Sequence, residues 1–245
     1  MYGVLEVAAA GWAVAVLPGL RFEGITVHTC PGMAFTASGT ENIALACRES
    51  GSGLCYLSTD YVFDGTAEEP YETGDVPNPV SVYGRSKYEG ERLAASLVPS
   101  HYILRTSWVF GANGNNFVKT ILKHAAEKEF LKVVFDQVGT PTYAADLASA
   151  IMTIAARVIR NQKAFNPGIY HYSNEGVCSW YDFAIEIVSL SGLDCRVIPI
   201  RSDEFPSKVK RPSYSVLDKS KIKENYDLEI PYWKDSLRKC INLLR

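Results

Sequence analysis

The sequence predicts a doubly wound α/β fold, a mostly parallel sheet covered by helices on both faces. Three observations predict it. Short apolar runs of strand length alternate along the chain with longer segments of helical periodicity. The strand-like runs are apolar in character, as buried parallel strands are. The composition is that of an ordinary soluble domain: 245 residues, 47% hydrophobic, 21% charged and a net charge of −2.

Residues 1–33 are apolar and glycine-bearing, with no clear strand–turn–helix order. From Gly39 the elements become legible. Residues 40–50 read as a helix with Ile43, Ala44, Ala46 and Cys47 on one side, and Gly51 and Gly53 just beyond it read as a C-cap. Residues 54–57 form a short buried strand, and 64–79, rich in Gly, Pro and Glu, a loop. Residues 82–97 form a helix with Lys87, Glu89 and Glu91 distributed round it, and 101–109 a second apolar strand. Residues 116–128 form a helix on Phe117, Ile121 and Leu122, 131–135 a strand, and 139–141 a turn. Ile151, Ile154, Ala155 and Val158 mark a helix over 144–160. A strand at 170–172, a helix at 179–191, a strand at 196–200 and a helix at 233–244 complete the chain.

The near-neutral charge argues against a nucleic-acid binder, which carries a strong basic excess. Six cysteines without a C-x-x-C pair read as reduced thiols of a cytoplasmic protein, not as a zinc or redox site. The apolar stretch 4–20 contains Glu6, is short of a membrane span and has no Lys or Arg before it, so neither a span nor a signal peptide is expected.

The chemistry-bearing pattern is Tyr83 and Lys87, a phenol and an ammonium four residues apart on one helix face. A free phenol titrates near ~10, and a neighbouring cation stabilises its anion and lowers that value. Such tuning suits proton exchange with a carbonyl oxygen. The plainer reading is a surface Tyr–Lys pair. Upstream, the strand 54–57 runs into Ser58 and Thr59, at the strand end where open α/β sheets bind ligands. The Thr59 hydroxyl is placed to bond the carbonyl oxygen that Tyr83 protonates, its plainer role being a turn cap.

The strings S-T-D-Y-V-F-D-G at 58–65 and P-x-S-V-Y-G-R-S-K-Y-E-G-E at 79–91 resemble the dTDP-4-dehydrorhamnose reductase family, within the extended short-chain dehydrogenase/reductase superfamily. The likeness continues through L-R-T-S-W-V-F-G at 104–111, G-N-N-F at 114–117, D-Q-x-G-T-P-T at 136–142 and A-D-L at 145–147. It persists in Y-H-Y-S-N-E-G at 170–176 and R-P-x-Y-S-x-L-D at 211–218, covering roughly residues 34–245. The resemblance implies a Rossmann-like fold with a small C-terminal substrate-binding region. Residues 1–135 would be the cofactor-binding part and 136–245 the remaining strand, helices and sugar-nucleotide region.

It also implies the roles. Thr59 polarises the C4 carbonyl of the sugar, Tyr83 supplies the proton, and Lys87 tunes Tyr83 and holds the nicotinamide ribose. Asp60 sits in the sugar site, and Trp108 packs on the sugar-nucleotide, the plainer alternative being a core tryptophan. Asn116 contacts the nucleotide or caps a helix. Arg211 pairs with a diphosphate or is a surface residue. The implied activity is reduction of dTDP-4-dehydrorhamnose to dTDP-rhamnose with NADPH, NADH being the alternative cofactor. Mg²⁺ stays open without support from this sequence, and a homodimer stays open too.

The start departs from the family pattern. Its glycines, Gly3, Gly11, Gly19, Gly24 and Gly32, never fall into the G-x-x-G-x-x-G loop that cradles a pyrophosphate, and no Asn precedes Asn42. A wrongly joined gene segment, a diverged cofactor domain and a protein that has lost cofactor binding each account for this. The alternative function is therefore a non-catalytic binding or regulatory protein on the same fold, as in the regulatory subunit of methionine adenosyltransferase, or an inactive truncated reductase.

Overall fold

The computed structural model describes residues 14–17, 26–28, 37–205 and 211–245. The five early glycines and Cys30 lie outside the described residues. The first half runs β1 (Val14–Leu17), β2 (Thr26–His28), α1 (Ala37–Ser50), β3 (Gly53–Thr59), α2 (Val82–Leu97), β4 (His101–Thr106), β5 (Val109–Phe110), α3 (Phe117–Glu127) and β6 (Phe130–Val134). The second half runs β7 (Val138–Gly139), β8 (Thr142–Tyr143), α4 (Ala144–Ile159), β9 (Gly168–His171), β10 (Cys178–Ser179), α5 (Trp180–Ser191), β11 (Arg196–Ile200), α6 (Ser220–Tyr226) and α7 (Trp233–Leu244).

Local chemistry sets the helix ends. α1 stops where Gly51 takes φ +67° and Ser52 N–H donates to the Cys47 carbonyl at 2.8 Å, the C-cap that the glycine spacing predicts. α2 starts where the Ser81 hydroxyl accepts from Gly84 N–H at 2.9 Å. α5 starts with a reciprocal pair: Ser179 accepts from Asp182 N–H, and the Asp182 carboxylate accepts from Ser179 N–H.

The central sheet has the order β2–β1–β3–β4–β9. β3, β4 and β9 are parallel, as are the separate pairs β6–β11 and β5–β8. β1 differs: it runs antiparallel to both β2 and β3, with Leu17 opposite Gly53. β3 is buried along its length after Gly53, as a central strand between two helical layers must be. On one face α1 and α2 close over Ala44, Cys47, Leu54, Tyr56, Ala94 and Ile103. On the other, α4 and α6 cover Leu57, Tyr102, Leu104, Ile151, Tyr170 and Tyr226. The sheet is therefore doubly wound.

The run 101–109, expected as one strand, is two, because Trp108 takes φ +47° between β4 and β5. β6 and β11 form their own layer with α3, α5 and α7 around Phe110, Ile121, Phe183 and Trp233. A strap over residues 213–218 joins distant parts. Val138 N–H donates to the Ser213 carbonyl and Tyr71 N–H to that of Val216, while the Ser213 hydroxyl donates to the Gly65 carbonyl at 2.9 Å. Gly65, at φ +83°, leaves room for Pro212 where a Cβ would lie 2.4 Å from it. Among the described residues, no helix is long and apolar enough to cross a membrane.

Candidate active site

The site is built where β3 ends. Thr59, its last residue, caps the short 3₁₀ turn Asp60–Val62 by accepting from Tyr61 N–H at 3.2 Å, and its hydroxyl donates to Asp60 Oδ1 at 3.0 Å. α2 arrives against this turn because Gly84 has no side chain: a Cβ there would lie 2.1 Å from the Tyr61 carbonyl oxygen. That approach brings the Tyr83 hydroxyl beside that of Thr59 and sets the Tyr83 ring edge-on to Tyr61 at 5.7 Å. Lys87 follows one turn later, buried, with its Nζ 4.3 Å from the centroid of the Tyr56 ring. The expected trio thus shares the carboxyl end of one strand.

The electrostatics follow from burial. Tyr83 keeps 37% of its residue surface, but its hydroxyl end is enclosed, and desolvation carries the phenol well above its usual range. The nearby Thr59 hydroxyl opposes that rise, and Asp60 adds to it. Burial outweighs the lowering that the Tyr–Lys spacing predicts. Burial also draws Lys87 down to about 7 against the pull of Glu91. It lifts Asp60 to about 7 against the hydrogen bond from Thr59 and the nearby Ser215 hydroxyl. Tyr83 therefore holds its proton at neutral pH, beside two groups that titrate near neutrality.

Trp108 lies beyond the end of β4, its left-handed backbone a strained conformation for a bulky residue. It stacks on Trp180 at 3.6 Å and 8°, and Gly139 makes room for it, since a Cβ there would meet the indole at 2.7 Å. One face of Trp108 is therefore taken by Trp180. Trp180 itself lines a cavity of about 760 Å³ with Phe117 and Ile121 of α3, Leu131 and Val133 of β6, and Arg211. Lys128, Lys132 and Arg211 outnumber Glu129 around it, so the cavity suits a flat ring carrying an anionic group. Burial and then Asp60 push the Tyr61 phenol up to about 12, and Arg211 lies near enough to oppose that rise, which links the cavity to the Tyr83 side of the site.

Asn116 caps α3: its carbonyl accepts from Lys119 N–H at 3.2 Å and its amide donates to the Gly111 carbonyl at 2.8 Å. The capping reading is realised, with both polar ends committed to backbone; Asn115 is exposed. Trp180 was not anticipated as a site residue. Its signal was the S-x-x-D cap at 179–182, which fixes a large aromatic at a helix start. Among the described residues, no group of three or more His, Cys, Asp or Glu is placed to hold a metal ion.

Comparison with known proteins agrees with this geometry. The RmlD substrate binding domain family matches residues 32–245. A dTDP-4-dehydrorhamnose reductase of Aggregatibacter actinomycetemcomitans is 42% identical over 206 residues, covering 82% of this chain and 70% of that protein. The crystal structure of a dTDP-4-dehydrorhamnose reductase from Clostridium acetobutylicum superposes with a TM-score of 0.77 at 45% identity, covering 84% of this chain and 71% of that one. One from Bacillus anthracis, in complex with NADP, has a TM-score of 0.78 at 39% identity over the same shares, 84% and 71%. A family match over residues 32–245 and relatives more than 40% identical over most of both chains establish that the chain belongs to the RmlD substrate-binding-domain family.

Proposed function

We propose that this chain is an oxidoreductase that reduces the 4-keto group of a nucleotide-activated deoxysugar, dTDP-4-dehydrorhamnose to dTDP-rhamnose. The observation that carries the reading is the Tyr83–Thr59 hydroxyl pair at the end of β3, with Lys87 one turn behind it. Tyr83 gives its proton to the carbonyl oxygen as that oxygen gains charge, and the Thr59 hydroxyl bonds the same oxygen. A phenol held above its usual range keeps its proton until then. The phenolate left behind pairs with the Lys87 ammonium. The cavity takes the nucleotide, with Phe117 and Trp180 against the base and Arg211 on the diphosphate. Trp108 and Asp60 border the sugar. In this reading residues 1–135 carry the catalytic and cofactor groups and 136–245 complete the sugar-nucleotide region, with Asn116 holding the start of α3.

Reduced nicotinamide, when bound, supplies the hydride. The described residues fit one end of NADPH or NADH: Tyr83 and Lys87 are placed for the nicotinamide ribose. They do not fit the pyrophosphate. β1 runs antiparallel to β3, so its carboxyl end lies at the edge away from Thr59, and residues 1–36 hold no G-x-x-G-x-x-G loop. A dinucleotide held at one end binds weakly, so titration calorimetry of this chain is expected to give an NADPH Kd in about the millimolar range. Micromolar affinity would show that the phosphates have a cradle after all.

The reversed β1 also favours a second reading, a protein that binds the nucleotide sugar without reducing it. Incubation with dTDP-4-dehydrorhamnose and saturating NADPH separates the two: loss of NADPH absorbance with formation of dTDP-rhamnose supports the reductase, and sugar-nucleotide binding without turnover supports the alternative. On either reading, Arg211→Ala is expected to weaken dTDP binding by about tenfold or more, with the difference shrinking as salt rises. Equal affinity in the two proteins at low salt would remove Arg211 from the site.

A further inference from the structure

Lys87 must be charged when Tyr83 gives up its proton, yet Lys87 is only 2% exposed, a costly place for an ammonium. Its face of α2 carries an opposing charge. Glu91, one turn on and equally buried, points the same way and pairs two-pronged with Arg105 of β4, Nε to Oε1 at 2.9 Å and Nη2 to Oε2 at 2.7 Å. Arg105 is 1% exposed, and its Nη1 has no hydrogen-bond partner among the described residues. His171, buried on β9, adds no charge: burial and the Arg105 cation hold it down to about 3.

The groups facing Lys87 come from every element packed on it. Tyr56 of β3 lies under the ammonium and donates its hydroxyl to the Lys87 backbone carbonyl at 3.2 Å. Tyr83 and Glu91 share its helix, Asp60 follows β3, and Arg105 lies behind Glu91. Glu91 favours the charged lysine against the burial that draws it down. Stability does not explain a fully buried Glu–Arg pair, because apolar residues of similar volume usually hold a fold as well or better.

We propose that Glu91 is the counter-charge that keeps Lys87 an ammonium inside the site, and that Arg105 positions that carboxylate and limits its pull. Both are positioning residues, acting through Lys87. The inference rests on Lys87 being the lysine of the proposed reaction, but its test does not require turnover.

The experiment is an NMR titration of protein labelled with ¹³C-lysine, the Lys87 ε-methylene resonance being assigned by its loss in K87R. Glu91→Gln removes the anion and leaves the Arg105 cation, so the Lys87 transition is expected at least about one pH unit below that of the native chain. E91M/R105M removes both charges, and its transition is expected between the other two. Loss of structure would move Lys87 the other way, toward the ordinary lysine value near ~10. The same transition in all three proteins, or a rise in Glu91→Gln while the fold is retained, overturns the proposal. If Glu91→Gln does not fold, E91M/R105M decides against the native chain: a lower transition supports the inference and an equal or higher one overturns it. Where the chain turns over, the loss of rate at high pH moves to lower pH by the same amount in Glu91→Gln. An unshifted pH profile with a shifted resonance would instead indict the catalytic assignment of Lys87.

Discussion

Tyr83→Phe is expected to lower turnover of the keto sugar by about 10²–10⁴-fold, the usual contribution of a positioned general acid. Sugar-nucleotide affinity should stay close to native, because the aromatic ring that meets Tyr61 is retained. The melting temperature should change little, since the residue is 37% exposed and its ring keeps its contact with Tyr61. Steady-state kinetics and a thermal melt on the same preparation check both halves. A variant with native turnover would remove Tyr83 from the mechanism; one that is inactive and also melts early would leave only a structural role.

Gly84→Ala is the second large effect, and it acts without touching any reacting group. The added methyl meets the Tyr61 carbonyl oxygen at 2.1 Å, and the carbon of that carbonyl at 3.0 Å, so backbone rather than a flexible side chain has to move. α2 must retreat from the turn after β3, and Tyr83 retreats with it from Thr59. Overpacking of this kind costs about 1–3 kcal/mol. A displacement on the order of 1 Å at the reacting groups costs about 10²-fold in rate. The expected signature is a lower melting temperature with a large loss of kcat and a small change in dTDP affinity, because the cavity lies on α3, β6 and α5. Native kcat in Gly84→Ala would mean that this close approach does not set the geometry.

Most of the helices and the chemistry at the end of β3 were legible in the sequence because they rest on local signals. α2 and α7 run over the residues that periodicity and caps predict, and α3, α4 and α5 differ from their predicted spans by a residue or two at an end. Thr59, Tyr83 and Lys87 come together because a strand end and the first turns of the next helix are linked by one loop. What was not legible depends on contacts far apart in the chain. Glu91 reads as one of the charges distributed round its helix, and its pairing with Arg105 appears only when β4 and α2 are laid side by side. The direction of β1 is likewise a property of pairing and not of its four residues. The two-residue strands and the seven-residue α6 are too short to carry a period at all. The break at Trp108 is a single left-handed residue held by Gly139 from another segment.

The strap at residues 213–218 bears on the order in which the protein comes into being. Ser213 meets Gly65 across 148 residues, and Val216 closes onto Tyr71 over a similar stretch. Closing such loops comes late, since the entropy of joining distant segments must be spent before their contacts repay it. On the ribosome, a chain can pair β3 with β4 and dock α2 long before residues 211–218 have emerged. Arg211, and the strap that ties down the loop after Asp64, arrive only after β4, α3, α4 and α5 have been made. A growing chain therefore holds the Tyr83–Lys87 helix in place well before it has a finished pocket beside it, and competence for its substrate is gained in one late step, not gradually.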